Sequence, residues 1–155
     1  MKQGFVKVAS ATPRIRVADP VYNAQVICEQ AKEAAEHGAK IVVFPELCIT
    51  GYTCNDLFLQ ELLLEKAKEA LLTIVEETGQ LEALFLVGLP VDKDGRLYNV
   101  AAVLYRGRIL GMIPKKNIPM YAEFYEGRHF TPGEETVTEY RLGKQEIPFG
   151  TNLLF

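Results

Sequence analysis

The patterning of this chain specifies an α/β fold in which helices cover a sheet, and three observations carry that reading. An uninterrupted apolar run, Ile41-Val42-Val43-Phe44, marks a strand buried on both faces. A helix-period stretch precedes that run and another follows it, and with a strand-like stretch at the start the first four elements read βαβα. Two turn dipeptides, Asp94-Gly95 and Arg106-Gly107, then join three strand-like stretches into a β-meander, which a strictly alternating α/β fold lacks.

Residues 4–11 (GFVKVASA) alternate apolar with small or polar side chains and predict the first strand. Pro13 closes it, and a polar loop runs to Pro20. Across 21–37, Val21, Ala24, Ile27, Cys28, Ala31, Ala34 and Ala35 recur at spacings of three and four, giving an amphipathic helix that Gly38 stops. Cys28 lies on that stripe and reads as core packing. Residues 41–44 form the second strand, which Pro45 ends because it has no N–H for a central ladder. Glu46 follows at once, at the carboxyl end of a buried strand, where open α/β sheets place their ligands. Its flanking loop holds Cys48, Gly51, Tyr52 and Cys54, a poor solvent-facing spacer but a good pocket wall. Residues 55–78 predict a second helix with Leu59, Leu63, Ala67, Ala70 and Ile74 on one face and Gly79 as its stop. Extra leucines at 57, 62, 64 and 71 widen that face, so cover by more than its own sheet, such as a partner subunit, is expected.

Residues 84–91, 97–105 and 108–113 are the meander strands, the last closed by Pro114. From 114 to 135 aromatics, prolines and charges occur without a sustained period, which predicts an ordered functional loop. Short strands over 135–141 and 145–148 come next, and the chain finishes on Leu153-Leu154-Phe155. An apolar finish without polar tail or helix stop predicts a piece of a longer protein.

With 155 residues one domain is expected, and 48% apolar residues suffice for a proper core. Net charge is −3 and no basic cluster exceeds two residues, which argues against a nucleic-acid surface. No apolar run approaches the ~20 residues of a membrane helix. The first ten residues lack a signal peptide's apolar centre, so the expected location is cytoplasmic. Three cysteines without CxxC spacing predict reduced thiols. A lone serine, Ser10, excludes a serine triad, and two distant histidines exclude a zinc site. His37 reads as a cation at a helix C-terminus. No glycine-rich phosphate loop is present.

What remains is Glu46, Lys115 just after a strand and a proline, and Tyr121, Glu123, Tyr125 and Glu126 close behind. If the strand ends carrying Glu46 and Lys115 are neighbours, an acid and an ammonium meet at one sheet edge. The pair reads either as an ordinary ion pair or as a proton-accepting carboxylate beside a fixed positive charge, which suits attack on an amide carbonyl.

FPELCITGYTCNDLF together with PKKNIPMYAEFYEGRHF resembles the nitrilase (carbon–nitrogen hydrolase) superfamily, and within it the amino-terminal glutaminase domains of glutamine-dependent NAD synthetases. The likeness runs along essentially the whole chain, 1–155, as the N-terminal part of such a domain with the synthetase domain absent. It implies an α-β-β-α sandwich of two sheets, of which this chain supplies somewhat more than half. It implies that Glu46 is the general base for a cysteine thiol and that Lys115 stabilises the oxyanion. Glu123 would orient Lys115 and the nucleophile, and Tyr121 and Tyr52 would line the glutamine pocket. Lys116 is the rival for the lysine role, but its spacing to Ile118-Pro119 fits the motif less well.

The family's nucleophilic cysteine belongs to a later strand, and Cys48 and Cys54 sit in the Glu46 loop, where matching loops do not use them. The resemblance therefore implies a glutaminase that releases ammonia for the ATP-dependent amidation of deamido-NAD, with these residues alone inactive. No cofactor is expected in this chain; ATP and Mg2+ belong to the missing synthetase domain. Glutamine is the expected partner, with no nucleic acid and no membrane. An open sheet edge predicts self-association into a homo-oligomer. Two other readings stand beside this one: a stand-alone amidohydrolase acting on a small amide or N-carbamoyl compound, and a non-catalytic assembly module.

Overall fold

A computed structural model describes residues 4–121 and 125–155. Its elements in chain order are β1 (Val8–Ser10), α1 (Pro20–Glu36), β2 (Ile41–Val43), a 3-10 turn (Asn55–Leu59), α2 (Glu61–Glu77), β3 (Leu84–Lys93), β4 (Arg96–Tyr105), β5 (Arg108–Pro114), a second 3-10 turn (Glu126–Arg128), β6 (Thr138–Leu142) and β7 (Gln145–Phe149). The strands form one seven-stranded mixed sheet in the order β1-β2-β3-β4-β5-β7-β6. β1, β2 and β3 run parallel, as βαβ crossovers require. β3, β4 and β5 form the antiparallel meander, and β7 lies parallel to β5 and antiparallel to β6.

Local chemistry explains the boundaries. Asp19 caps α1 by accepting from the Tyr22 N–H at 3.1 Å, and Pro20 opens the helix where its missing N–H costs nothing. The β3–β4 and β4–β5 turns place Asp94 and Gly95, then Arg106 and Gly107, all at positive φ, the conformation a two-residue hairpin turn needs. The helix expected over 55–78 is in fact two elements. Gln60 is extended at φ −89°, ψ 120°, so a 3-10 turn precedes α2 instead of continuing it. Tertiary anchoring decides this: Phe58 in the turn is buried with Leu63, Leu64 and Phe130, apart from the cluster under the rest of α2.

The helices pack on each other and on one face of the sheet. Ile27, Ala31, Ala67, Leu71 and Ile74 meet Val42, Phe85, Val87 and Leu89 in the main core. Among the described residues this makes two layers, helices over sheet. By strand register the opposite face presents Val43, Leu86, Ala101 and Ile113. Val43 on that face is 43% exposed. The chain's last residues bend over the same face, where a side chain at Gly111 would strike the Phe155 ring at 2.8 Å.

Candidate active site

Glu46 is held by a tight reversal of the chain directly after β2. The Phe44 N–H donates to Leu86 O at 2.9 Å, continuing the sheet for one residue. Leu47 then adopts φ 53° and is fully buried, while the Thr50 and Gly51 N–H groups both donate back to its carbonyl. The loop lies flat on β3, with the Ile49 N–H donating to Gly88 O at 3.1 Å. Glycine at 88 is what permits this approach: a Cβ there would sit 2.4 Å from Leu47 N and 2.7 Å from Pro45 O. Glu46 is thereby fixed at the strand end from both sides.

Lys115 leaves the end of β5, two strands from β3. Its N–H donates to Asn99 O at 2.7 Å, and its carbonyl accepts from the Gly133 N–H at 2.9 Å. Its ammonium donates to Glu46 Oε1 at 2.8 Å and to both carboxylate oxygens of Glu126 at 2.9 Å. Asn99 Nδ2 also donates to Glu46 Oε1. Glu46 Oε1 is thus anchored twice, and among the described residues Oε2 accepts no hydrogen bond. Glu126 is buried, its side chain 6% exposed, and it accepts a further bond from the Tyr52 hydroxyl at 2.7 Å. Desolvation pulls the Lys115 pKa down, but the hydrogen bonds and charges of Glu46 and Glu126 outweigh it and the net shift is upward. That ammonium stays charged through neutral pH.

The neighbouring strand ends do bring Glu46 and Lys115 together. Lys116, the rival lysine, turns away to Glu135 at 2.6 Å. Tyr52 faces Glu126 from a smaller adjoining cavity lined by Leu47, Phe58 and Phe130, and Tyr121 is 69% exposed. Glu123 lies outside the described residues. Among the described residues of this segment, Glu126 is the acid that meets Lys115. Two of these residues received no role from the sequence. Asn99 had a usable signal, since it is a lone amide in an otherwise apolar strand. Glu126 lies in a segment without periodicity, so nothing local told that its side chain turns inward.

The pair stands at the rim of a cavity of about 800 Å³ over the helix-free face of the sheet, with Val43, Leu86, Ala101 and Ile113 among its lining. None of the chain's three cysteines lines that cavity; all are buried. Cys48 donates into the core, toward Gly88 O at 3.6 Å. Burial pushes the Cys28 and Cys48 thiols up to about 11 and raises Cys54 as well. A thiol so shifted is a poor nucleophile at neutral pH.

These shifts set an alkaline limit. The folded pKa lies above the unfolded one, so the stabilisation is complete below about pH 9 and is lost as pH rises through about 11. About 2–3 kcal/mol per thiol disappears over that range. Urea midpoints measured from pH 8 to 11 are expected to fall, and to fall less in Cys48→Ala; a flat profile contradicts the burial argument.

The profile of the carbon–nitrogen hydrolase family matches residues 7–152. The glutamine-dependent NAD(+) synthetase of Mycobacterium tuberculosis (strain H37Rv) is 40% identical over 154 residues, 99% of this chain and 23% of that protein. The chain therefore spans under a quarter of the length of that relative. Among solved structures, a glutamine-dependent NAD(+) synthetase from Cytophaga hutchinsonii superposes with a TM-score of 0.88 at 29% identity, over 94% of this chain and 25% of that one. An amidase from Nesterenkonia sp. AN1, with acrylamide added at its active-site cysteine, shares the fold at a TM-score of 0.70 and 22% identity, over 93% of this chain and 56% of that one. The anchored acid and ammonium at the strand ends, the meander and these matches agree: the chain belongs to the carbon–nitrogen hydrolase family.

Proposed function

We propose that this chain carries the acid–base half of a glutamine amidase site, within a longer protein similar to glutamine-dependent NAD synthetase. One observation carries the reading. An ammonium is clamped between two carboxylates from separate segments, Glu46 and Glu126, beside a cavity of about 800 Å³ that Glu46 and Lys115 help to line. In this reading Glu46 Oε2, the oxygen left by the two anchors on Oε1, takes the proton of a thiol. The thiolate attacks the glutamine side-chain amide carbon, and the Lys115 charge offsets the oxyanion that forms. Breakage of the C–N bond returns the proton from Glu46 to the leaving ammonia. Water, deprotonated by the same carboxylate, then cleaves the thioester to glutamate.

The thiol comes from outside these residues, because the three cysteines of this chain are held in the core. Ammonia then serves a synthetase domain that uses ATP and Mg2+ to amidate deamido-NAD. We place the protein in the cytoplasm as a homo-oligomer, and the exposed Val8 on the edge strand β1 supports self-association. The fold shared with the Nesterenkonia amidase supports a second reading, a stand-alone amidase acting on a small amide. The test is ammonia release from glutamine by the purified 155-residue chain. No turnover above blank is expected, and turnover would overturn the assignment of the nucleophile to another segment.

A further inference from the structure

The turn that delivers Glu126 is joined to the Glu46 loop at a second place. Asp56, in the 3-10 turn before α2, accepts from His129 Nε2 at 3.2 Å through one oxygen and from Arg128 Nη2 at 3.2 Å through the other. The Phe58 ring, on the same turn, meets the rings of His129 and Phe130 edge-on, with centroids 5.9 and 5.0 Å away. The His129 side chain is only 8% exposed, so its direction is set by packing. Residues 126–130 form one tight unit, with the Phe130 N–H donating to Glu126 O at 2.8 Å and the His129 N–H donating to the same carbonyl at 3.0 Å. A displacement of His129 or Arg128 is therefore passed to Glu126 through the backbone that bears all three.

We propose that Asp56 is a positioning residue of the site: by clasping Arg128 and His129 it fixes how far Glu126 reaches toward Lys115. The inference rests on the reading of Lys115 as the charge of the amidase site, and its test reads that amine without any amide hydrolysis, so the two fail separately. Both partners of Asp56 lie on the 126–130 unit, whereas Tyr52 contacts the Glu126 carboxylate itself. Tyr52 therefore aims the carboxylate, and Asp56 sets the distance of the backbone that carries it.

The experiment is acylation of lysines by a limiting amount of acetic anhydride at pH 9, with Lys115 quantified against Lys144 by peptide mass spectrometry. A loosened Glu126 frees the amine. Asp56→Ala is expected to raise Lys115 acylation about threefold, the scale of an exposed ion pair. Glu126→Gln is expected to raise it about tenfold through loss of a direct charge partner. The double variant is expected to match Glu126→Gln alone, because Asp56 acts through Glu126. Asp56→Asn, which keeps the shape of the side chain, is the milder variant should Asp56→Ala lose its native circular dichroism. Unchanged Lys115 labelling in a folded Asp56 variant overturns the proposal, as does an effect that multiplies with that of Glu126→Gln. A purely structural role lowers the melting temperature without moving Lys115 relative to Lys144.

Discussion

Glu46→Gln is expected to lower ammonia release from glutamine by ~10²–10⁴-fold in the polypeptide that joins these residues to a nucleophilic thiol. The amide keeps the shape of the carboxylate and can keep a bond from Lys115 through its oxygen, so the fold is expected to survive. What disappears is the oxygen that, in the proposed mechanism, accepts the thiol proton. Asn99 and Lys115 both hold Oε1, so in the variant the amide oxygen is drawn to that position and the NH₂ group is presented to the nucleophile instead. A donor there cannot act as a base. Binding of glutamine should change little, so the loss falls on kcat. Retention of more than a tenth of the activity contradicts the role given to Glu46.

Gly88→Ala is expected to destabilise the isolated chain by at least about 3 kcal/mol, at or above the usual limit for overpacking. The added methyl would lie 2.4 Å from Leu47 N and 2.7 Å from Pro45 O. Both neighbours are backbone, so no side chain can rotate out of the way. Relief requires the loop to lift off β3, breaking the bond from the Ile49 N–H to Gly88 O and withdrawing Glu46 from Lys115. Gly88 has no positive φ to preserve; close approach alone demands it. By contrast Gly95, whose φ is 73° with nothing within 4 Å, is kept for its backbone conformation. Urea denaturation decides the point, and a loss below 1 kcal/mol in Gly88→Ala would show that the loop does not rest on that strand as described.

Much of this molecule was legible before any coordinates, and the reasons are local. β2 announced itself through four apolar residues and a proline, α1 through its stripe and Gly38, and the meander through two dipeptides that tolerate positive φ. The meeting of Glu46 and Lys115 was legible only as a condition, since both stand just past a strand and a proline but the adjacency of those strand ends came from the structure. The parts that were not legible depend on tertiary contact. Nothing in residues 138–149 says that β7 enters the sheet between β5 and β6, since that pairing rests on a single partner pair, Met112 with Phe149. The interruption at Gln60 is invisible to helical periodicity because Leu59 and Leu63 keep their spacing across it. The glutamine-pocket role of Tyr52 was implied by the resemblance alone, and its bond to Glu126 is a tertiary contact that no local pattern announces. A buried carboxylate without partners is expensive, so Glu126 gathers both Lys115 and Tyr52. A linear sequence gives no measure of that demand.

The measurement that bears most directly on the convergence of two acids on one amine is the titration of the Lys115 side chain by NMR in the 155-residue chain, compared with Glu46→Gln and Glu126→Gln. The geometry predicts a value above that of an ordinary lysine, lowered by each substitution separately. A Lys115 that titrates at or below the ordinary value and ignores both substitutions would show that the three residues do not share a site.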